Sequence, residues 1–144
     1  QIRFNDFHLA FEGFDLPNVK LFEEQTSILQ KFLATATPDE AQQKDVDFLL
    51  ALGELFALVV YAQLILENTH IYKEDVNDDL LEHIFDCLVR DFSKHALQLY
   101  SKPSSSPQQM ELCLQMLRKP VVDAGRFGRV WEQVHALKDT YELI

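Results

Sequence analysis

Glycine and proline are scarce in this chain, four and five among 144 residues. So few turn formers exclude a sandwich or barrel of many short strands. They also leave no room for a phosphate cradle: neither Gly-x-x-x-x-Gly-Lys-Ser/Thr nor Gly-x-Gly-x-x-Gly occurs. Basic charge is short as well, with 13 Lys and Arg against 23 Asp and Glu, a net charge of −10. A chain that repels phosphate and carries no basic stripe is not expected to bind nucleic acid. Only two cysteines are present, Cys87 and Cys113, both inside apolar helical patterns and without Cys-x-x-Cys spacing. They read as buried thiols in a reducing cytoplasm. No cationic segment followed by a short apolar run marks a signal peptide. Nucleophilic catalysis has little to stand on: no Gly-x-Ser-x-Gly elbow occurs, and most of the serines sit where a nucleophile would be poorly held.

What the chain has in quantity is apolar surface at helical spacing. Hydrophobic residues make up 47% and charged residues 25%, which is ordinary globular usage and enough for one domain with its own core. Phe4, Phe7, Phe11 and Phe14 recur at spacings of 3, 4 and 3, an aromatic stripe on a first helix that ends at Pro17 and Asn18. Val19, Phe22, Thr26, Leu29 and Leu33 mark the inner face of a second helix. Thr37-Pro38-Asp39-Glu40 reads as a capping box opening a third, with Thr37 as the cap. From Phe48 to Leu66 that helix is apolar on nearly every face and long enough to cross a bilayer. Glu54 and Gln63 are costly in lipid, and Asp45, Asp47 and Glu67 supply no positive anchor, so the expectation is a bundle centre and no membrane span.

A fourth helix opens at Val76-Asn77-Asp78-Asp79 and carries Leu81, Ile84, Phe85, Leu88, Phe92, Ala96 and Leu99 on one stripe. Ser101 to Pro107 is a serine- and proline-rich break, read as a hinge near 101–107. Ser106-Pro107-Gln108-Gln109 restarts the chain with a capping box, and Asp123 caps a last helix bearing Phe127, Val130, Trp131, Val134 and Leu137. The expected architecture is all-α: an antiparallel bundle of about six helices in one domain, a long central pair plus a C-terminal helical pair. Residues 1–90 hold six Lys/Arg against seventeen Asp/Glu, and residues 91–144 hold seven against six, so the acidic face lies on the first part.

Two constellations carry chemical interest. Glu67-Asn68-Thr69-His70 and Glu132-Gln133-Val134-His135 are Glu-x-x-His pairs, which on a helix put carboxylate and imidazole on one face. Two such pairs plus Glu24 and Glu82 from other helices would match a ferritin-like di-metal site. Against that reading, Glu67 and His70 fall near a turn, whereas core ligands sit mid-helix. Arg118, Lys119, Arg126 and Arg129 offer a basic cluster, but no glycine nest accompanies it and Asp123 sits within it. The Phe4, Phe7, Phe11 and Phe14 stripe is either core or, at the edge of a fragment, a docking surface.

The second half carries a further pattern. Leu88-Val89-Arg90-Asp91-Phe92-Ser93 is followed by Lys102-Pro103-Ser104-Ser105, Arg118-Lys119-Pro120, Arg126-Phe127 and Arg129-Val130-Trp131. In this order the segments resemble the C-terminal helical region of large bacterial acyl-CoA dehydrogenases, over roughly residues 48–144. The resemblance implies the C-terminal part of a longer, cytoplasmic, homo-oligomeric flavoenzyme that uses FAD to desaturate acyl-CoA thioesters. Its electrons pass to an electron-transfer flavoprotein. A glutamate base and the flavin do that chemistry. No catalytic or flavin-binding residue is carried over to this chain, because no segment matches the family's Glu-Gly-Thr type of base motif. Glu12-Gly13-Phe14 comes nearest and has an aromatic third position. Phe4, Phe7, Phe11 and Phe14 are the expected contacts to the rest of that enzyme.

Overall fold

The computed structural model describes residues 7–141, which form helices and, among those residues, no strand. In chain order these are α1 (Phe7–Phe11), α2 (Pro17–Thr35), α3 (Glu40–Lys44), α4 (Val46–Ile71), α5 (Asp78–Tyr100), α6 (Pro107–Met116), α7 (Ala124–Ala136) and α8 (Lys138–Tyr141). The fold is an all-α bundle built on the long pair α4 and α5, joined by a short turn that makes them antiparallel. α2 lies along α5, and α6 closes against both. α1 packs on α4 and α2, α3 on α4, and α7 rides on the flank of α5.

The core forms where the apolar stripes meet. Phe22 of α2 stands edge-on to Phe85 and Phe92 of α5, with ring centroids 5.6 and 5.4 Å apart. Phe11 extends that cluster, edge-on to Phe85 at 6.3 Å. Phe48, Leu55 and Leu66 reach it from α4, and Leu112, Cys113 and Met116 from α6. Each such side chain removed from water contributes about 1.5–3 kcal/mol, so the stripes read from the sequence are what hold the helices together.

Helix starts follow local chemistry. Thr37 spends its hydroxyl on the Leu33 carbonyl oxygen (2.9 Å), completing the end of α2, and so does not cap the next helix. Asp39 takes that role, accepting from the Gln42 N–H at 2.8 Å. α3 lasts five residues before Asp45, in extended geometry, caps α4 through the Phe48 N–H. The helix expected to run unbroken from Pro38 is therefore two, because a second aspartate six residues on offers a stronger cap than a continued turn. At the end of α1 the chain reverses at Gly13 with φ +85°, a conformation that favours glycine.

The Ser106 and Asp39 capping boxes meet. Gln42 and Gln109, each the third helical residue of its box, bond each other reciprocally at 2.8 and 3.0 Å. Gln42 also donates to the Ser104 carbonyl and accepts from the Asp39 N–H; Gln109 donates to the Ala36 carbonyl and accepts from the Ser106 N–H. Both buried amides thus fill two donor and two acceptor positions. The serine-rich segment read as a hinge is braced by this pair, by Ser105 Oγ donating to the Leu99 carbonyl (2.6 Å) and by Lys102 to Asp45 (2.9 Å).

Candidate functional site

The residues singled out for metal binding do not converge. Glu67 and His70 lie exposed at the end of α4, where Glu67 accepts from Gln63 (3.2 Å) and the His70 ring packs against Phe14 at 4.7 Å. Glu132 is exposed on α7 with His135, whose ring stacks on Trp131 at 6.4 Å. Glu24 binds Arg118 (2.8 Å), and Glu82 is buried elsewhere. Among the described residues no group of three or more His, Cys, Asp or Glu is placed to hold a metal ion. α7 packs chiefly on α5, and Glu132 and His135 stand exposed on it.

Of the aromatic stripe, Phe7 and Phe11 are 1% and 6% exposed, covered by α2, α4 and α5 of this same chain. Their rings are already used in the core and present no docking surface. Phe14 is half-buried, and Phe4 lies outside the described residues. Cys113 is buried, and burial pushes its thiol up to about 11, so it stays protonated and inert.

A buried polar knot, not visible in the motifs, ties three regions. Glu82 on α5 places its carboxylate at the N-terminus of α2, accepting from the Asn18 N–H at 2.9 and 3.1 Å and from the Val19 N–H at 3.3 Å. α2 has no capping side chain of its own, since Leu16 occupies its N-cap. A carboxylate from another helix satisfies its first N–H groups and sits at the positive end of its dipole. Arg126 of α7 completes the knot, 3.7 Å from Glu82 and 3.2 Å from Asp86, and donates to the Val121 carbonyl. Asn18 holds Val121 through both its N–H and its carbonyl. Burial raises the Glu82 carboxyl above the ordinary carboxylate range, an effect partly offset by the Val19 and Asn18 N–H groups and by Arg126.

The segments Leu88–Ser93, Lys102–Ser105 and Arg118–Trp131 fall on such ties. Arg90 binds Asp86 (2.9 Å), Lys102 binds Asp45, Arg118 binds Glu24, and Arg129 binds Asp79 (2.7 Å) and Asp123 (3.1 Å). Phe92 is in the core, and the Ser93 hydroxyl accepts from the Arg118 N–H at 2.9 Å. Three members of the predicted basic cluster are therefore committed to carboxylates of this chain. Open grooves also mark the surface. One of about 450 Å³, between α4 and the end of α5, carries Asp47, Glu54, His95 and Lys102; His95 reaches Gln98 (2.9 Å) and Glu54 (4.0 Å). Another, of about 320 Å³, lies beside Gly13, His70 and Lys73.

Exposed apolar side chains are concentrated on two helices. On α7 the buried positions are Arg126 and Val130, while Phe127, Trp131 and Val134 are more than half exposed. α7 is thus anchored through Arg126 and Val130, while Phe127, Trp131 and Val134 of its apolar stripe are turned outward. On α4 one face fills the core through Phe48, Leu55, Val59, Ala62 and Leu66. The opposite face exposes Val46, Leu50, Tyr61, Leu64 and Ile71 around Gly53 and Ala57. α4 is long and apolar enough to cross a membrane by length and composition, and only a third of its most apolar stretch is buried within the chain.

No family model, no curated protein and no solved structure matches this chain.

Proposed function

We propose that this chain is the C-terminal helical domain of an acyl-CoA dehydrogenase-like flavoenzyme, serving packing and subunit association with no catalytic residue of its own. The observation that carries the proposal is the outward apolar face of α7. Phe127 and Trp131 belong to the segments that resemble the dehydrogenases, and both stand exposed on a helix anchored from behind by Arg126. A contiguous aromatic surface on a rigidly tied helix is what a domain needs to dock on a larger body.

On this reading none of the described residues is assigned to FAD. A pyrophosphate needs free guanidinium or ammonium groups, or an open helix N-terminus. Here Arg118, Arg126 and Arg129 are bound to carboxylates, and the first N–H groups of α2 are taken by Glu82. On this reading the flavin, the glutamate base and the acyl-CoA belong to the remainder of the parent chain. The test is recovery of the native gene product from cells with an antibody against this domain. The expected result is a polypeptide several times 16.7 kDa with a flavin absorbance spectrum that bleaches on addition of an acyl-CoA. A flavin-free polypeptide of 16.7 kDa overturns the proposal.

A further inference from the structure

We infer that the outward face of α4 is a self-association surface, on which a second copy of this chain packs as an antiparallel helix about a two-fold axis at Ala57. The inference is independent of the lineage proposed above. It starts from the helix itself. α4 spans 26 residues, about 39 Å at the rise of an α-helix. Along its outer line stand Val46, Leu50, Gly53, Ala57, Tyr61 and Leu64, at spacings of 4, 3, 4, 4 and 3 residues. That is one continuous stripe on one side of the cylinder.

Two features choose a second copy over other occupants. The first is the pattern of sizes. With Ala57 facing its own copy, Leu50 falls opposite Leu64 and Gly53 opposite Tyr61, in both directions at once. The largest side chain of the stripe then lies over the residue with none, and the smallest pair sits on the axis. Gly53 has no internal reason to be glycine: a Cβ built there meets nothing within 4 Å. A helix-weakening residue mid-helix, needed by nothing in its own chain, is accounted for by close approach from outside. The second is area. Val46, Leu50, Tyr61 and Leu64 are 67, 61, 65 and 58% exposed. At about 150–200 Å² per large apolar side chain they present about 450 Å² before backbone and flanking residues are added, over half of the about 800 Å² per partner of a standard interface. A lipid surface has no use for the size pattern. The acidic flanks Asp47, Glu54 and Glu67, on a chain of net charge −10, also oppose an anionic bilayer.

The test is sedimentation of the full 144-residue chain across a concentration series, with site-directed variants. The expected mass is twice 16.7 kDa at high concentration, and the dimer strengthens with added salt, because like net charge is being screened. Gly53→Leu fits the single chain, whose helix it favours, yet blocks the approach; the dissociation constant rises about tenfold or more. Phe127→Asp, on α7, leaves the mass unchanged. In a Cys87→Ser background, Ala57→Cys gives a disulfide-linked dimer under mild oxidation. Asn68→Cys does not, since the two copies of residue 68 stand about 33 Å apart in this register. A chain monomeric at every concentration overturns the inference. So does a dimer insensitive to Gly53→Leu, a dimer cross-linked through residue 68, or a monomer that cosediments with phosphatidylcholine vesicles through Leu64.

Discussion

At Glu82 a carboxylate with 6% exposure does the work of a helix cap for α2 while neutralising Arg126. Removing it strands the first N–H groups of α2 and leaves a buried guanidinium with Asp86 as its remaining carboxylate. Glu82→Ala is expected to lower the unfolding free energy by about 3–5 kcal/mol, the range for breaking a buried ion pair from one side. Adding Arg126→Met restores part of that loss, because the unpaired charge goes with it. Urea unfolding of the two single variants and the double variant gives the coupling; strictly additive effects would mean the knot is not energetically one unit. The sign of the pH effect follows from burial. With its folded-state pKa raised, Glu82 contributes stability that is present below the ordinary carboxylate range and lost as pH rises through the raised value. None of this was legible in the sequence. Asn18 and Glu82 are 64 residues apart, and a polar residue beside Leu81 in a helical stripe gives no sign of its partner.

For the helices, start signals read locally were sound where the capping side chain had no competing acceptor. Ser106 caps α6 with Gln109, and Asp123 caps α7 through Gly125 and Arg126, as the spacing indicates. Thr37 failed because its hydroxyl had a competing acceptor one turn back, at Leu33. The direction an amphipathic helix faces is a different matter. Periodicity found the apolar line of α7 but not that Arg126 beneath it is the anchor, since only the packed fold brings Glu82 and Asp86 to that spot. The junction of the two capping boxes makes a sharp test. In Gln109→Glu the carboxylate cannot donate to the Ala36 carbonyl or to Gln42 Oε1, so two buried acceptors face a charge. We expect a loss of about 2–4 kcal/mol at neutral pH, partly recovered in acid when the carboxyl regains a donor. An unchanged denaturant midpoint at neutral pH would show that the paired amides are incidental.

Across the whole molecule the ion pairs that join helices set the response to acid. Arg129 holds the Asp79 and Asp123 carboxyls below their usual range, and Lys102 with the Phe48 N–H does the same for Asp45. A carboxyl with a depressed folded-state pKa contributes stability present above its ordinary value of about 3.9 and lost as pH falls through the folded value. Thermal unfolding midpoints should therefore drop steeply below about pH 4. In Arg129→Ala that slope should flatten, because the largest cause of two of these shifts is removed at once; an unaltered slope would assign acid sensitivity to other groups. The all-helical class and the central pair were legible at this scale because each long segment shows either a helical period or an apolar run too long for a strand. The outward faces were not, since a stripe of leucines reads the same whether it meets this chain or another. Both proposals make those faces contact surfaces. Their most direct test is hydroxyl-radical footprinting of Tyr61 and Trp131, 65% and 61% exposed, in the native assembly recovered from cells and in the isolated chain at high dilution. Both side chains are predicted to oxidise readily in the dilute chain and to be protected in the assembly. Equal reactivity in the two samples would contradict both.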